Sequence, residues 1–375
     1  MSKKTKTAII AAGASGGHIF PALAVANELK AQGFRCIFVG RGGAFSRIVE
    51  ADGFEIKELP ANPWNVKNPV RKVLAIFNLV RAFVRAFKLI HQEKASVVFG
   101  TGGYATVAAV LAAKLSGVPT VIQEQNVLPG RANRFLSKWA DRVCLSFESS
   151  RHYLRYRENV MVVTGNPIRS KIIEARTLKR VDDGKFRILI AGGSQGARIL
   201  SDVVPHAINL LPYEHKKKVE VIQQTRAEDR QRVINFYHEF DVPAQVEVFF
   251  DDLEVKMIQS NLIIARSGAS TVNEAAILGR AAIYVPLKLA DGHQLQNAKA
   301  MESIGAAIVM EHGIFTPEKL AEKLSELIED KVFVGKMEKS AYDSGIVDAA
   351  NNVAREVIKL SEYDLLHIGE ELNNN

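Results

Sequence analysis

A turn of small residues in the second half of the chain has the composition of a phosphate-binding site. Residues 267–270, Ser-Gly-Ala-Ser, follow the apolar run 262–265, and a helical pattern begins at Thr271. Because these side chains have little bulk and no charge, backbone N–H groups at the start of the helix could approach a diphosphate, which the helix dipole also favours. Glu274, about one turn further on, is placed to accept hydrogen bonds from a ribose diol. The alternative is an N-capped crossover helix of any parallel-sheet protein.

His18 is a candidate general base in the first half. It ends the segment 13–18, Gly-Ala-Ser-Gly-Gly-His, between an apolar run at 7–12 and a helical pattern at 21–31. Glycines let a loop backbone approach a ligand closely, and an imidazole at the mouth of such a loop can accept a proton near neutral pH. The segment is not the G-x-G-x-x-G dinucleotide motif, and no acidic residue follows the second strand, at 36–39. A structural histidine is the alternative.

Two further polar loops follow predicted strands. Gly-Thr-Gly-Gly-Tyr at 100–104 comes after the run 96–99, and Glu124 begins Glu-Gln-Asn after the run 119–122. The carboxyl ends of parallel strands meet at one edge of a sheet, where open α/β folds bind ligands. We therefore expect His18, the second glycine loop and Glu124 to converge on one crevice.

The elements that must position these residues alternate between apolar runs and helical patterns. The second half repeats the plan of the first, from an apolar run at 186–191 that opens into a glycine loop at 192–198. Further runs lie at 142–147, 160–163, 219–222, 246–250, 282–285 and 306–310. This pattern predicts two doubly wound α/β domains with parallel sheets, facing each other across a cleft. We place the first domain at 1–165, the second at 166–345, and a last helix with a disordered tail (370–375) at 346–375.

The composition is that of a globular protein. With 375 residues, 47% of them hydrophobic and 24% charged, the chain is long enough for two domains. Cys36 and Cys144 lie in strand-like runs, which favours buried thiols in a reducing compartment over a disulfide. The N-terminal apolar run is too short for a signal peptide, and no run approaches the ~20 apolar residues of a membrane span, so we expect a cytoplasmic, non-integral protein. The net charge of +8 favours acidic partners: nucleic acid, anionic lipid or a phosphorylated substrate.

The segment 59–92 differs from the rest because it contains no acidic residue. It has six lysines and arginines: Lys67, Arg71, Lys72, Arg81, Arg85 and Lys88. Helical spacing from Val70 puts a set of apolar residues on one side, namely Val73, Phe77, Val80, Val84 and Phe87, and further apolar residues widen it. A basic, strongly apolar helix is typical of a membrane-surface element. An ordinary core helix with a solvated basic edge is the alternative.

Several motifs occur in an order and spacing that are specific to one family. They are GASGGHIFPALAVA, GTGGYATVAAV, QEQNVLPGRANRFLSKWADRV, TGNPIR, GGSQGARILS, FFDDLEVKMIQSNLIIARSGASTVNEAA and DGHQLQNAKAM. From Ala11 to about Val309 the chain resembles the MurG family, bacterial UDP-N-acetylglucosamine transferases that make lipid II. The resemblance implies a GT-B fold, with the acceptor mainly on the first Rossmann-like domain and the donor mainly on the second. It also implies that the last helix, within 347–360, crosses back to the first domain.

The resemblance also assigns residues to the substrates. Its substrate-binding positions are Ser15, Gly16, Gly17, Asn126, Arg169, Ser194, Phe250, Ala269, Ser270, Thr271, Val272, Asn273, Glu274 and Gln294. The turn at 268–271 would hold the diphosphate, Glu274 the ribose, Phe250 the uracil through its backbone, and Gln294 the sugar hydroxyls. The chain departs from the family at Leu295, where a second glutamine can occur.

The implied reaction is an inverting transfer of N-acetylglucosamine. The donor would be UDP-N-acetylglucosamine and the acceptor the C4 hydroxyl of undecaprenyl-diphosphate-linked N-acetylmuramoyl-pentapeptide, so that lipid I becomes lipid II in peptidoglycan synthesis. His18 or Glu124 would deprotonate the hydroxyl. The chain has no D-x-D motif, so neither a catalytic metal nor a cofactor is expected, and a helix dipole with backbone donors would stabilise the leaving group. The enzyme would be peripheral at the cytoplasmic face of the inner membrane, an anionic surface, with cell-wall synthesis and division proteins as its protein partners.

Three alternatives have different consequences for these residues. Another GT-B catalyst, such as a glycolipid glucosyltransferase or a UDP-N-acetylglucosamine epimerase, would keep the second-half motifs. A non-catalytic, membrane-docked nucleotide-sugar-binding protein would need neither His18 nor Glu124, so the presence of both favours catalysis. Nucleic-acid binding is disfavoured, because the basic residues of 59–92 interleave with positions that look like helix core, and no stacking platform is evident.

Overall fold

The computed structural model divides the chain into two compact units. It describes residues 5–61, 69–154, 158–193, 196–287 and 292–373, without the side chains of 44, 69–72 and 363–373. The first unit consists of Met1–Arg169 together with Asp348–Asn375, and the second is Ser170–Val347. The first unit therefore extends a few residues beyond the boundary placed at 165, and it takes its last helix from the other end of the chain.

The first unit is built on a parallel sheet. Among the described residues its strands are β1 (Thr7–Ala11), β2 (Arg35–Gly40), β3 (Glu55–Glu58), β4 (Ala95–Gly100), β5 (Thr120–Glu124), β6 (Arg142–Leu145) and β7 (Met161–Val163). Their spatial order is β3-β2-β1-β4-β5-β6-β7, and every neighbouring pair is parallel. Sequence patterns missed β3, because its sequence, Glu-Ile-Lys-Glu, is polar, as suits a strand at the sheet edge.

Helices cover both faces of this sheet. They are α1 (Gly16–Ala31), α2 (Ala44–Ala51), α3 (Pro69–Gln92), α4 (Tyr104–Leu115), α5 (Arg131–Leu136) and α15 (Ala349–Asn373), with 3-10 turns at Glu148–Tyr153 and Glu158–Val160. Alternate residues of β1 enter different cores: Ile9 packs with α3, α4 and α5, whereas Ile10 packs with α1, α2 and α15. Strands that are buried on both faces read as continuous apolar runs, which is why the sequence predicted most of them.

The second unit repeats this architecture. Its described strands are β8 (Phe186–Ala191), β9 (Val219–Gln224), β10 (Ala244–Glu247), β11 (Leu262–Ala265), β12 (Ala281–Tyr284) and β13 (Ala307–Val309), in the parallel order β10-β9-β8-β11-β12-β13. Its helices are α6 (Ser170–Ala175), α7 (Arg198–Asn209), α8 (Tyr213–Lys216), α9 (Arg230–Glu239), α10 (Leu253–Gln259), α11 (Ala269–Ile277), α12 (His293–Ser303), α13 (Pro317–Glu329) and α14 (Lys331–Ser344), with a 3-10 turn at Ala227–Asp229. The predicted fold class, two α/β domains with parallel sheets, is confirmed.

The last helix, α15, belongs to the core of the first unit. Val353 and Val357 are fully buried among residues of α1 and the sheet. Asn352 Nδ2 donates to the Thr164 carbonyl over 3.3 Å, and Arg142 Nε lies 2.9 Å from Glu356 Oε2. The helix continues to Asn373, into the segment predicted to be disordered, since an established helix gains one hydrogen bond for each residue added.

Most of the large apolar residues in the first half of α3 are exposed, and the alanines of this helix are buried. In its first five turns the fully covered residues are small, namely Ala75, Ala82 and Ala86, and the last two pack in the same core as the alanines of α4; Leu89 and Ile90 join that core near the end of the helix. The large residues Val73, Leu74, Ile76, Phe77, Val80 and Val84 are 45% to 67% exposed. The interpretation of these positions as helix core was therefore wrong for Val73, Phe77, Val80 and Val84, because alanine-to-alanine packing places the bulky side outward.

Two further boundaries differ from the prediction. α1 begins at Gly16 rather than at Pro21, so Gly16, Gly17 and His18 form its first turn; proline favours the first helical position, and that preference misplaced the start. β10 ends at Glu247, so Phe250 lies in the loop after the strand and not within the run predicted at 246–250.

The two cysteines are buried free thiols, as predicted. Burial raises the pKa of the Cys36 thiol to about 12 and that of Cys144 well above its ordinary value. Both thiols therefore stay neutral near pH 7. Within the described residues, no helix combines the length and the apolar character that crossing a membrane requires.

Candidate active site

The first site lies at the carboxyl edge of the first sheet, where two glycine loops enclose the ring of His18. A Cβ on Gly13 would lie 2.6 Å from His18 Cδ2, and a Cβ on Gly102 would lie 2.9 Å from its Cε1. A Cβ on Gly103 would lie 2.9 Å from Gly13 Cα, and φ is +86° there. Side chains at 13 and 102 would therefore collide with the imidazole, and the positive φ at 102 and 103 also favours glycine at these two positions.

Hydrogen bonds fix which tautomer of His18 is present when the ring is neutral. Nδ1 lies 2.7 Å from the Thr101 carbonyl oxygen, and Thr101 Oγ1 donates to the His18 carbonyl over 2.9 Å. A carbonyl can only accept, so Nδ1 must carry the hydrogen. Nε2 is then the ring nitrogen that can accept a proton. Gln125 Nε2 also donates to the Thr101 carbonyl, over 2.9 Å, and so helps to hold it in place.

The carboxylate of Glu124 organises the loop that follows β5. Its side chain is buried, with 1% of the residue exposed. Oε1 accepts from the backbone N–H and the Nδ2 of Asn126, at 2.9 and 3.2 Å, and Oε2 accepts from Gly130 N and Asn133 Nδ2, at 3.0 and 2.9 Å. Both oxygens thus accept two hydrogen bonds from the segment 126–133. These four hydrogen bonds mean that Glu124 anchors the segment after β5.

The structure brings together the three segments expected to converge in the first unit. A Cβ on Gly102 would lie 3.5 Å from Asn133 Nδ2, which itself donates to Glu124. The ring of His18 and the Asn133 amide of the Glu124 network therefore both lie close to Gly102. Asn133 was not identified from the sequence, because nothing in RANRF marks its amide as the link between two loops.

The start of α1 gathers further predicted residues. Ser15 is the N-cap of α1, and its carbonyl accepts from His18 N and Ile19 N, at 2.9 and 3.0 Å. Gly16 lies against the ring of Phe20, at 3.2 Å from the position of a Cβ, whereas a Cβ on Gly17 would have no neighbour within 4 Å. The guanidinium of Arg169 lies over the same Phe20 ring, 5.6 Å from its centroid. Phe20 is thus a platform for Arg169 that sequence reasoning did not identify.

The second site is the turn before α11, at the carboxyl edge of the second sheet. Gly268 is the N-cap, no side chain caps the helix, and its first turn has no acidic residue. Val272 N donates to the Gly268 carbonyl over 3.0 Å, so the amide of Val272 is used inside the helix. The backbone N–H groups of Ala269, Ser270 and Thr271 precede that first bond, and they are the donors that a helix start presents to an anion.

Residues around this turn hold it against α12. Ser267 Oγ donates to the Gln294 carbonyl over 2.8 Å, and Asn297 Nδ2 donates to the Ser267 carbonyl over 3.1 Å. Gln294 Oε1 accepts from Leu287 N over 2.8 Å, which orients its amide. The structure therefore places predicted Gln294 beside the turn, and the buried Ser267 and Asn297 fix that position.

The other predicted residues of the second unit differ in accessibility. Glu274 is 8% exposed, Val272 is fully buried, and Asn273 Nδ2 donates to the Ala269 carbonyl over 2.8 Å within the helix. The Phe250 ring is buried, so only its backbone could meet a ligand, while the neighbouring Phe249 is 68% exposed. Ser194 lies outside the described residues. In the part of the chain with described side chains, no group of three or more His, Cys, Asp or Glu residues could hold a metal ion.

Comparison with known proteins decides the family. Residues 8–145 match the glycosyltransferase family 28 N-terminal domain, and residues 187–353 match that family's C-terminal domain. A UDP-N-acetylglucosamine--N-acetylmuramyl-(pentapeptide) pyrophosphoryl-undecaprenol N-acetylglucosamine transferase of Methylobacterium radiotolerans is 36% identical over 364 residues, which is 96% of this chain and 99% of that protein. The chain belongs to glycosyltransferase family 28.

Solved structures agree with this assignment. Acinetobacter baumannii MurG is 30% identical, with a TM-score of 0.80, over 95% of this chain and all of that one. The resemblance of the sequence motifs to the MurG family, and with it the GT-B fold class, is confirmed. The UDP-GlcNAc 2-epimerase of Neisseria meningitidis is only 14% identical, with a TM-score of 0.70 over 94% of this chain and all of that one, and so shares the fold alone.

The contacts of Glu124 predict a stability effect. Glu124→Gln keeps the shape but replaces one accepting oxygen by an NH₂ group that faces backbone or amide donors. Leaving such a buried donor unsatisfied should lower the free energy of unfolding by about 2 kcal/mol, measured by urea denaturation. Glu148→Gln is the matched control, because Glu148 is 71% exposed and its ion pair with Arg151 lies at the surface; its effect should stay below about 0.5 kcal/mol. Equal effects of the two substitutions would contradict the role of Glu124 as an anchor.

Proposed function

We propose that this chain transfers N-acetylglucosamine from UDP-N-acetylglucosamine to the C4 hydroxyl of the undecaprenyl-diphosphate-linked N-acetylmuramoyl-pentapeptide. The observation that carries the proposal is the match, over nearly the whole chain, to relatives named for this transfer. Both glycine loops, the Glu124 network and the turn before α11 are present together, and a protein that only bound a nucleotide sugar would not need the first two. An epimerase shares the fold but only 14% of the sequence.

The start of α11 supports a site for the donor diphosphate. Its first-turn N–H groups and its dipole favour negative charge, and no acidic side chain in that turn competes with a ligand. Because the leaving UDP gains charge as the glycosidic bond breaks, these donors would stabilise the transition state more than the ground state. Glu274 would bind the ribose diol, the Phe250 backbone the uracil, and Gln294 the sugar. The exposed ring of Phe249 offers a surface for base stacking.

His18 fits the role of general base better than Glu124. Its Nδ1–H is held by the Thr101 carbonyl, which leaves Nε2 as the proton acceptor, whereas each oxygen of Glu124 accepts two hydrogen bonds. In the reaction, Nε2 takes the proton of the C4 hydroxyl and the oxygen attacks the anomeric carbon of the donor. The bond from that carbon to the diphosphate oxygen breaks, and its electron pair leaves with UDP. Direct attack inverts the anomeric configuration.

The outer face of α3 supports a peripheral position at an anionic membrane. The exposed residues Val73, Leu74, Ile76, Phe77, Val80 and Val84 form an apolar surface on one helix, larger than isolated exposed side chains make. Arg81, Arg85 and Lys88 are exposed on the same helix, and Arg81 lies 5.8 Å from the centroid of the Phe77 ring. Apolar side chains that enter the lipid interface, with cations placed to meet phosphates, suit the cytoplasmic leaflet, where a lipid-linked acceptor is available. Protein partners of cell-wall synthesis and division would meet the enzyme there.

Removal of the base should affect chemistry more than donor binding. His18→Ala should lower kcat by roughly 10²- to 10⁴-fold with little change in the KM for the donor, measured with radiolabelled UDP-N-acetylglucosamine and a soluble lipid I analogue. His91→Ala is the control, because His91 Nδ1 also contacts a carbonyl, that of Phe87 at 2.9 Å, but at the end of α3. Near-normal kcat in His18→Ala would remove His18 from the mechanism.

Loss of the ribose contact should weaken use of the donor. Glu274→Ala should raise the donor KM and lower kcat/KM by about 1 to 3 kcal/mol, as for lost hydrogen bonds to a charged group. Glu322→Ala, which changes an exposed glutamate of α13, controls for the change in charge. Because Glu274 is buried, unfolding curves of both variants must show a folded protein at the assay temperature. An unchanged donor KM would exclude Glu274 from the site.

Charge reversal on α3 should release the protein from anionic vesicles. Each basic residue near such a surface contributes about 1 kcal/mol, so Arg81→Glu, Arg85→Glu and Lys88→Glu together should weaken vesicle binding by more than about 100-fold. High salt should mimic the change, and turnover of the soluble acceptor should persist. The control is Lys171→Glu, Lys319→Glu and Lys336→Glu, three exposed lysines of the second unit. Parent-like binding by the α3 variant would show that this helix is not the docking face.

A further inference from the structure

A second concave surface of the second unit lies at the opposite edge of its sheet from the turn before α11. It is a cavity of about 360 Å³ at the ends where strands begin: Phe186 starts β8, and Lys218, Asn261 and Arg280 directly precede β9, β11 and β12. Successive turns of α14 form the facing wall, which is lined by Lys331, Val334, Gly335 and Glu338. The proposed donor residues follow the strands, so none of them lines this cavity.

The cavity has an excess of positive charge. Five cationic side chains line it, against the two carboxylates of Asp182 and Glu338, which leaves three positive charges; the cations are Arg180, Lys185, Lys218, Arg280 and Lys331. Within the described part of the chain, the ammonium groups of Lys218 and Lys331 have no hydrogen-bond or ion-pair partner. These two lysines are exposed at the rim, whereas the arginines form the inner wall.

The inner wall is short of negative charge. Glu338 is shared, since Arg280 Nη1 lies 3.2 Å from Oε1 and Arg180 Nη2 lies 3.4 Å from Oε2. One carboxylate cannot neutralise two guanidinium groups. Burial lowers the pKa of Arg280, Glu338 opposes that effect, and the charge of Arg180 adds to it. A further anion near these arginines would relieve both the desolvation cost and the repulsion between the two cations.

We propose that this cavity binds a small phosphorylated anion with two or more negative charges. Its volume is in the range of small-ligand sites and suits a diphosphate or a nucleoside phosphate rather than a macromolecule. A guanidinium group can donate two parallel hydrogen bonds to the oxygens of one phosphate. The ammonium groups of the rim lysines attract the same anion from a range of directions. The ligand would meet Arg180 and Arg280 inside and Lys218 and Lys331 at the rim.

The test uses inorganic pyrophosphate as the probe and calorimetric titration of the full chain. UDP is omitted, because a nucleoside diphosphate could itself occupy the cavity; binding at the turn before α11 is separated from binding at the cavity by the variants. We expect two binding events in the parent protein, one at the cavity and one at the turn before α11, and a loss of affinity of at least about tenfold in one of them in Lys218→Glu with Lys331→Glu. The matched control is Lys217→Glu with Lys336→Glu, which changes the net charge equally at neighbouring positions that do not line the cavity. The control should bind like the parent.

A second variant fills the cavity without changing its charge. A Cβ at Gly335 would have no atom within 4 Å, and this glycine is in the middle of α14, so Gly335→Leu should extend a side chain into open space and keep the helix. The binding event that the lysine pair weakens should be lost, while the unfolding temperature is unchanged or higher. The proposal is overturned if the parent does not bind pyrophosphate, if both lysine pairs weaken binding equally or not at all, or if Gly335→Leu folds and binds like the parent. Transferase activity is measured separately and does not enter the comparison.

Discussion

The hydrogen bond between His18 Nδ1 and the Thr101 carbonyl is the contact on which the first site depends. It joins the loop after β1 to the loop after β4, two neighbouring strands, and it exists only because Gly13 and Gly102 leave room for the ring. The same carbonyl accepts from Gln125, which follows β5. Three consecutive strands of the sheet are therefore connected at their carboxyl ends through one acceptor. A substitution at either glycine would disturb the tautomer as well as the shape.

Each unit has little side-chain charge at its own candidate site. In the second unit, α11 begins with small residues and an open N-cap, and the nearest carboxylate of the helix, Glu274, lies beyond the first turn and is buried. In the first unit, the carboxylate of Glu124, at the end of β5, is saturated by donors of the segment that follows it. Backbone groups are fixed by the fold, so they need no reorganisation when charge develops.

The sequence predicted strands better than it predicted what lies between them. Runs such as 186–191 and 262–265 coincide with β8 and β11, because strands buried on both faces leave no other pattern. The polar β3 gave no such signal. The outward side of α3 could not be assigned, since alanines and large apolar residues are both hydrophobic, and only packing on α4 decides between them. Asn133 and Phe20 were missed for a related reason: their partners, Glu124 and Arg169, are distant in sequence, and no local pattern records such a contact.

The position of α15 has a consequence for how the chain is made. The core of the first unit is closed by Val353 and Val357, which leave the ribosome only after the whole second unit has been synthesised. Residues 1–169 alone therefore lack part of their own core. In a contact such as Arg142–Glu356, the whole second unit separates the two residues in the sequence. Closing such a long loop slows the folding of the first unit. The second unit, Ser170–Val347, is continuous in sequence and can therefore complete its fold first. The first part of the protein to be synthesised is then the last to reach its final stability.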